Sequence, residues 1–403
     1  MNNTWKKTAA VVMALVCTAA LAGCADTGTI MTVGGVEIRN GIYLQKELSA
    51  CSDARTKASE QKEEAGDTSE IKDLFAEKVD GKSATEWVKE QTMLNIRKYA
   101  AVEKLAEKYG ITLSDEELAS INADVSSMWN EDNYYAQYFY GTDTIGEYYD
   151  SIGIGKESLK QSYINEGLSD KLFLHYYDTD GETPVSEEDF DAFLKQNYAA
   201  VKLIELEYDD YAGIALEDDA DIQAVKDKAQ AYADRLNGGE SFSQIKYEND
   251  LENAQNKAKV DAIDSYGELT AESGEALPDY DKYIEDAVNA ATAEKAESDD
   301  ALVTVISKDS SNFDTDITDY IWSAADNSGA TLFETSDSIC VVVRSDVTAA
   351  AQWKSDNRTT VLKKMKGDEY DELIAAEGAG YSVESNDYLV NTKYAPDKIK
   401  GVN

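Results

Sequence analysis

The residues best typed and spaced for chemistry in this 403-residue chain lie at its start. Leu21-Ala22-Gly23-Cys24 follows an apolar run over residues 8–20, and Lys6 and Lys7 precede that run. A basic flank, a short apolar stretch and small residues before a cysteine mark a lipoprotein leader, spanning residues 1–23. The Cys24 thiol would take a diacylglycerol, and the small side chains before it would admit the processing peptidase. The run is shorter than the ~20 apolar residues that cross a bilayer as a helix. Cys17 would leave with the leader. Cys51 and Cys340 remain, far apart and without framework spacing. They read as two separate thiols, with a disulfide outside the cytoplasm as the alternative. His175 is the only histidine, so the sequence supplies neither a histidine triad nor a His/Cys metal cluster.

Charge narrows the partners. The chain has 38 Lys and Arg against 79 Asp and Glu, a net charge of −41. Nucleic-acid binders need basic patches, and docking on anionic lipid by charge has the same requirement. The balance suits a solvated protein outside the cytoplasm, with basic polypeptides or cations as partners. A second group is aromatic: Tyr134, Tyr135, Tyr138, Phe139 and Tyr140 crowd seven positions. Tyrosine offers contact area at low entropy cost, so the cluster reads as a binding surface, or else as part of a domain core.

The elements that must position such residues are legible in the middle of the chain. Ile222, Val225, Ala229, Tyr232 and Leu236 form one helical stripe, stopped by Gly238 and Gly239. Glu240 and Ser241 lead into a second short helix carrying Phe242 and Ile245. Residues 201–208 (VKLIELEY) alternate like a strand, and residues 339–344 (ICVVVR) read as a buried one. Residues 313–325 read as a helix with Trp322 near its end, and residues 270–300, acidic and broken by Pro278, as an insertion or long loop-helix.

This order of strand, helix ending in Gly-Gly-Glu-x-Phe, second helix and late returning strand resembles the parvulin-type peptidyl-prolyl isomerase domain, over residues 200–346. The family places histidines on its first and last strands. Glu205 and Cys340 fall about where those histidines should be, and residues 264–269 (DSYGEL) echo the family's mid-domain glycine segment. The resemblance implies a catalytic set of Glu205, Asp250 and Cys340, with Trp322 near a proline pocket. It implies no cofactor, since parvulins hold the twisted amide in an apolar, hydrogen-bonding pocket. Read on their own, Glu205 is a solvent-facing strand residue, Asp250 a helix-terminal polar residue and Cys340 a small core residue.

Upstream, residues 32–38 (TVGGVEI) read as a short strand and residues 40–48 as a helix. Residues 52–67 read as an exposed extension or loop. A strong helix spans 87–109, ended by Gly110 with Ile111 folding back. Ser114 to Glu117 form a capping box for the next helix, helix 157–177 follows, and Ser186 opens another. This order is similar to the N-terminal chaperone domain of SurA- and PrsA-type foldases, over residues 30–198. The two resemblances imply an α+β fold: a mainly helical SurA/trigger-factor-like domain (24–199) with an inserted parvulin-like α/β domain (200–348). A C-terminal segment (349–403) would return to the helical domain. Its helix over 349–376 is expected to break near Gly367, and residues 381–390 to form a last strand.

What the resemblance implies is a lipid-anchored foldase or chaperone on the extracytoplasmic face of the cell membrane. Its clients would be unfolded or secreted polypeptides, and Tyr134, Tyr135, Tyr138, Phe139, Tyr140 and Trp322 would contact them. The domain without histidines would have little isomerase activity. An active isomerase with a diverged site and a surface or solute-binding lipoprotein are the alternatives. Oligomeric state is left open. Replacing Cys24 with alanine is expected to move the protein out of the membrane fraction; retention there after a high-salt wash would place the anchor elsewhere.

Overall fold

A hairpin opens the described part of the chain where one strand was expected. In the computed structural model, which describes residues 28–272, 277–308, 313 and 315–399, β1 (Thr29–Val33) pairs antiparallel with β2 (Val36–Arg39). The leader and Cys24 lie outside the described residues. Val33 faces Val36, so only Gly34 and Gly35 make the turn, at φ 58° and 91°. A two-residue turn of this hand needs positive φ at both positions, and glycine adopts it freely. The chain is α+β, and it divides into one unit of residues 1–184 with 366–403 and another of residues 185–365. Among the described residues no helix is long and apolar enough to cross a membrane.

In the first unit, α1 (Asn40–Glu64) continues through the stretch expected to be a loop. Ala50, Ala54 and Ala58 recur every fourth position and pack on Leu74, Val79 and Val88. A stripe of alanines is a weak signal in a charged sequence, yet it suffices to bury one face. The short strands β3 (Lys78–Val79) and β4 (Lys82–Ser83) follow, and the Ser83 hydroxyl caps α2 (Ala84–Tyr109). That helix ends as expected: the amide of Ile111 reaches the Ala106 carbonyl at 2.9 Å and that of Gly110 the Glu107 carbonyl at 3.2 Å. Ser114 and Glu117 form the capping box of α3 (Asp115–Asn130). A π-type turn (Ala136–Tyr140), α4 (Ile145–Ile152) and α5 (Lys156–Tyr177) complete this part.

The second unit begins with α6 (Glu187–Asn197), capped by Ser186, and runs straight into β5 (Tyr198–Glu207). Then come α7 (Asp219–Asn237), α8 (Phe242–Glu272), α9 (Tyr280–Ala290), β6 (Thr304–Ser307), α10 (Thr315–Ser323), β7 (Ala330–Glu334) and β8 (Ser338–Ser345). The strands form one antiparallel sheet in the order β6-β5-β8-β7. On one face Ile204, Leu206, Ile339 and Val341 pack on Ala229 and Tyr232 of α7 and on Phe242 and Ile245 of α8. On the other, Ala199, Val201, Cys340 and Val342 pack on Ile317 and Ile321 of α10. The helix after Gly239 is long where a short one was expected, and it takes in residues 264–269, so the echo of a glycine segment is helix. That stretch is rich in helix formers and has no proline before Pro278.

The last helix, α11 (Ala351–Ala379), passes through Gly367 without the expected break. One glycine costs a helix only about 1 kcal/mol, and buried Leu362 and Ile374 anchor the turns on either side. Residues 349–365 belong to the second unit, whereas from residue 366 the chain belongs to the first. There Ile374 packs with Ala101, Leu105 and Leu172, and the Tyr370 hydroxyl donates to the Ser169 carbonyl at 2.9 Å. The expected final strand is shorter: β9 (Val383–Ser385) pairs with β1, giving the order β2-β1-β9, and a π-type turn (Leu389–Lys393) follows.

Two outcomes are expected. Ile374→Ala should lower the stability of the first unit by about 2–4 kcal/mol, the usual cost of truncating a buried aliphatic side chain, read from its urea transition. Glu47 of α1 is fully buried; one oxygen meets the Tyr43 hydroxyl at 3.5 Å and the other has no hydrogen-bond partner among the described residues. Burial pushes its carboxyl up to about 8, against the opposing pull of the Tyr43 bond and Lys89. The unfolded chain releases this proton near the ordinary 4.5. The contribution is therefore full below about pH 4.5 and is lost as pH rises toward 8. Glu47→Gln should flatten that decline, gaining on the native chain between pH 5 and pH 8; parallel urea midpoints across this range would contradict it.

Candidate functional site

The turn between α3 and α4 satisfies its own backbone and leaves its rings bare. Asp132 and Thr144 form an isolated β-bridge, and the Asn133 amide donates to the Asp143 carbonyl at 2.9 Å. The Asn133 side chain accepts the Ala136 amide at 3.1 Å. At the start of α4 the Thr144 hydroxyl accepts the Glu147 amide, and the Glu147 carboxylate accepts the Asp143 amide, each at 3.0 Å. These bonds close a neck. Above it the helical turn sets residues four apart side by side. Tyr134 stacks on Tyr138 at 6.1 Å and Tyr135 on Phe139 at 6.3 Å, and Tyr138 meets Phe139 edge-on at 4.9 Å.

Only Ala136 in this turn is buried. The four rings are exposed by 72% (Tyr134), 66% (Tyr135), 71% (Tyr138) and 66% (Phe139). The reading of the cluster as core therefore does not hold. Single exposed apolar residues are ordinary, but contiguous patches mark interaction sites. Tyr140 differs, stacking on Tyr148 at 3.8 Å.

In the same unit a cleft of about 560 Å³ is lined by Tyr140, Tyr148 and Glu166 together with Lys46, Cys51 and Arg55 of α1. Burial pulls the Lys46 ammonium below its usual range, with Glu166 opposing. Burial, with Glu47 adding to it, pushes the Cys51 thiol up to about 12. A thiol held protonated is a weak nucleophile. Lys46, Arg55, Tyr148 and Tyr149 were not singled out in the sequence; only the Tyr148-Tyr149 doublet gave a local hint.

In the second unit the sheet register sets Glu205 of β5 directly opposite Cys340 of β8, and Cys340 opposite Phe333 of β7. Trp322 of α10 is half-buried against that face. The Glu205 carboxylate accepts the Ser338 hydroxyl at 2.8 Å. Cys340 is buried, and both Cys51 and Cys340 are unbridged. Asp250 is held apart: it lies on α8, whose first turn packs on the opposite face, and Lys246 donates to both its oxygens at 2.7 Å. A second cleft of about 380 Å³ is lined by Glu205, Glu207, Asp209, Lys228 and Asn249. There the Asp209 carboxylate, with burial and Glu205, pushes the Glu207 carboxyl up.

Among solved structures the chain is similar to the foldase protein PrsA from Streptococcus pneumoniae. The identity is 13% and the TM-score 0.32, over 77% of this chain and 93% of that one. It is also similar to the foldase protein PrsA from Lactococcus lactis, at 11% identity and a TM-score of 0.29, over 94% of this chain and all of that one. No family model and no curated protein sequence matches it.

Proposed function

We propose that this chain holds non-native polypeptide segments outside the cytoplasm, tethered by lipid on Cys24, and that its residues 200–348 add little isomerase catalysis. The observation that carries this reading is the exposed ring turn. Four aromatic side chains stand in solvent on a turn whose backbone bonds are already made. Leaving that much apolar area bare forgoes the stabilisation that burial would bring, roughly 25 cal/mol per Å², and an apolar segment of another chain would recover it. Tyr140, Tyr148 and the adjoining cleft extend the same surface. The absence of histidine from residues 200–348, where the resembled family has two, supports weak catalysis.

One observation favours the isomerase alternative. Glu205 and Cys340 are paired directly across β5 and β8, and Cys340 lies on the side of the sheet that α10 covers. The two readings separate experimentally. A chemically unfolded client is diluted into the protein, and a proline peptide is assayed alongside. The native chain is expected to suppress aggregation, and Tyr135→Ser, Tyr138→Ser and Phe139→Ser together to abolish most of that effect. Their melting should stay within the ±0.5 kcal/mol typical of surface changes. Proline-peptide turnover that responds to Glu205→Ala would promote the isomerase. Folded protein that leaves aggregation unchanged would end the chaperone reading in favour of a surface lipoprotein.

A further inference from the structure

The ring turn has a charge environment that the proposed function does not use. From Tyr109 to Gly155 the chain has no Lys, Arg or His, and nine Asp or Glu. Glu131, Asp132, Asp143 and Glu147 sit at the neck of the turn, and all four are exposed. None of the four has a salt-bridge partner among the described residues. Elsewhere in the same unit carboxylates do find internal cations, as Glu117 does with Lys171 at 2.6 Å and Asp371 with Lys98 at 2.6 Å. The tyrosines follow the same division. Lys46 lies over Tyr99 at 5.9 Å and Lys104 over Tyr381 at 5.4 Å. Among the described residues no cation of the chain lies over Tyr134, Tyr135, Tyr138 or Phe139. Ring faces and carboxylates are both attractors of cations, the first through their quadrupole and the second by charge. Here both stand together, exposed, with no internal cation assigned to either.

Resting on the polypeptide-holding reading, we propose that this turn selects segments in which Lys or Arg stands beside apolar residues. The apolar part lies on the two stacked ridges, Tyr134 with Tyr138 and Tyr135 with Phe139. The cations reach the ring faces and the neck carboxylates. A segment of equal hydrophobicity bearing Glu or Asp meets like charge at the neck beside the rings. The same argument sets aside two other occupants. A second copy of this chain would bring the same acidic neck against itself, and an anionic lipid surface would be repelled.

The test uses three labelled peptides with one Leu/Phe/Val framework and Lys, Gln or Glu at the intervening positions, titrated against the full chain by fluorescence anisotropy. The Lys peptide is expected to bind tighter than the Gln peptide by about tenfold, the scale that a few exposed ion pairs supply together. The Glu peptide should bind weakest. The gap should close near 1 M salt, where the screening length falls to about 3 Å. In the triple variant Glu131→Gln, Asp132→Asn and Asp143→Asn, the ratio of Lys-peptide to Gln-peptide affinity should collapse toward one. Equal binding of the Lys and Glu peptides, or a preference that survives this variant in folded form, would overturn the proposal while leaving polypeptide holding intact. If no peptide binds, or if Tyr135→Ser with Phe139→Ser leaves all binding unchanged, polypeptide holding fails and the proposal with it. A dimer in sedimentation that this ring variant converts to monomer would overturn it in favour of self-association.

Discussion

Eight consecutive pairs between β5 and β8, from Ala200 opposite Ser345 to Glu207 opposite Ser338, are the constraint on which the second unit depends. Side chains alternate along a strand, so this ladder decides at once which residues face α7 and α8 and which face α10. A slip of one residue would send Ile204 and Leu206 to the wrong side and separate Glu205 from Cys340. Arg344 helps fix the register. It is buried, and its guanidinium donates to the Ile321 carbonyl at 2.9 Å and the Ala200 carbonyl at 3.0 Å, with Asp326 at 3.3 Å. A buried cation is tolerated only where such partners are in place, so the correct pairing of β5, β8 and α10 is the arrangement that satisfies it.

The first unit meets the same demand with helices. Arg97 of α2 donates to the Gly378 carbonyl at 3.0 Å and the Tyr381 carbonyl at 2.8 Å, holding the returning segment at the end of α11. The approach is close enough that a Cβ on Gly378 would lie 2.6 Å from the Arg97 carbonyl oxygen. With the core closed in this way, the ring turn is free of structural duty. Its neck is held by backbone and carboxylate bonds, and Ala136 is the one side chain of the turn that is buried. That independence permits a surface chosen for contact.

How much of this could be read from the sequence depended on whether the deciding physics was local. Caps are local, and Ser114 with Glu117, Ser186, and Gly110 with Ile111 ended or began helices where expected. Strands β5 and β8 were legible because β-branched runs are rare in this polar chain. The length of α1 was not, because Ala50, Ala54 and Ala58 carry little hydrophobic signal until their partners Leu74 and Val88 are in place. The continuity of α11 through Gly367 likewise rests on burial at Leu362 and Ile374. Exposure of the tyrosines was beyond the sequence, since spacing gives a shared face without saying what covers it. That Glu205 and Cys340 meet while Asp250 lies apart follows from a register set by the whole ladder.

The small sheet of the first unit has a consequence in time. β1 lies between β2 and β9, so its two edges are satisfied by neighbours from opposite ends of the described chain. As synthesis proceeds, the β1–β2 hairpin forms early and then waits for residues 383–385, on the order of tens of seconds at ordinary elongation rates. Pairing across so long a separation is slow by its nature, and an open strand edge is a template for wrong partners. All strand partners of the second unit lie within residues 185–365, so its sheet can close while the first still waits. Throughout that interval the first of the described strands to be made is the last to be completed, and the nascent chain itself presents an unpaired edge.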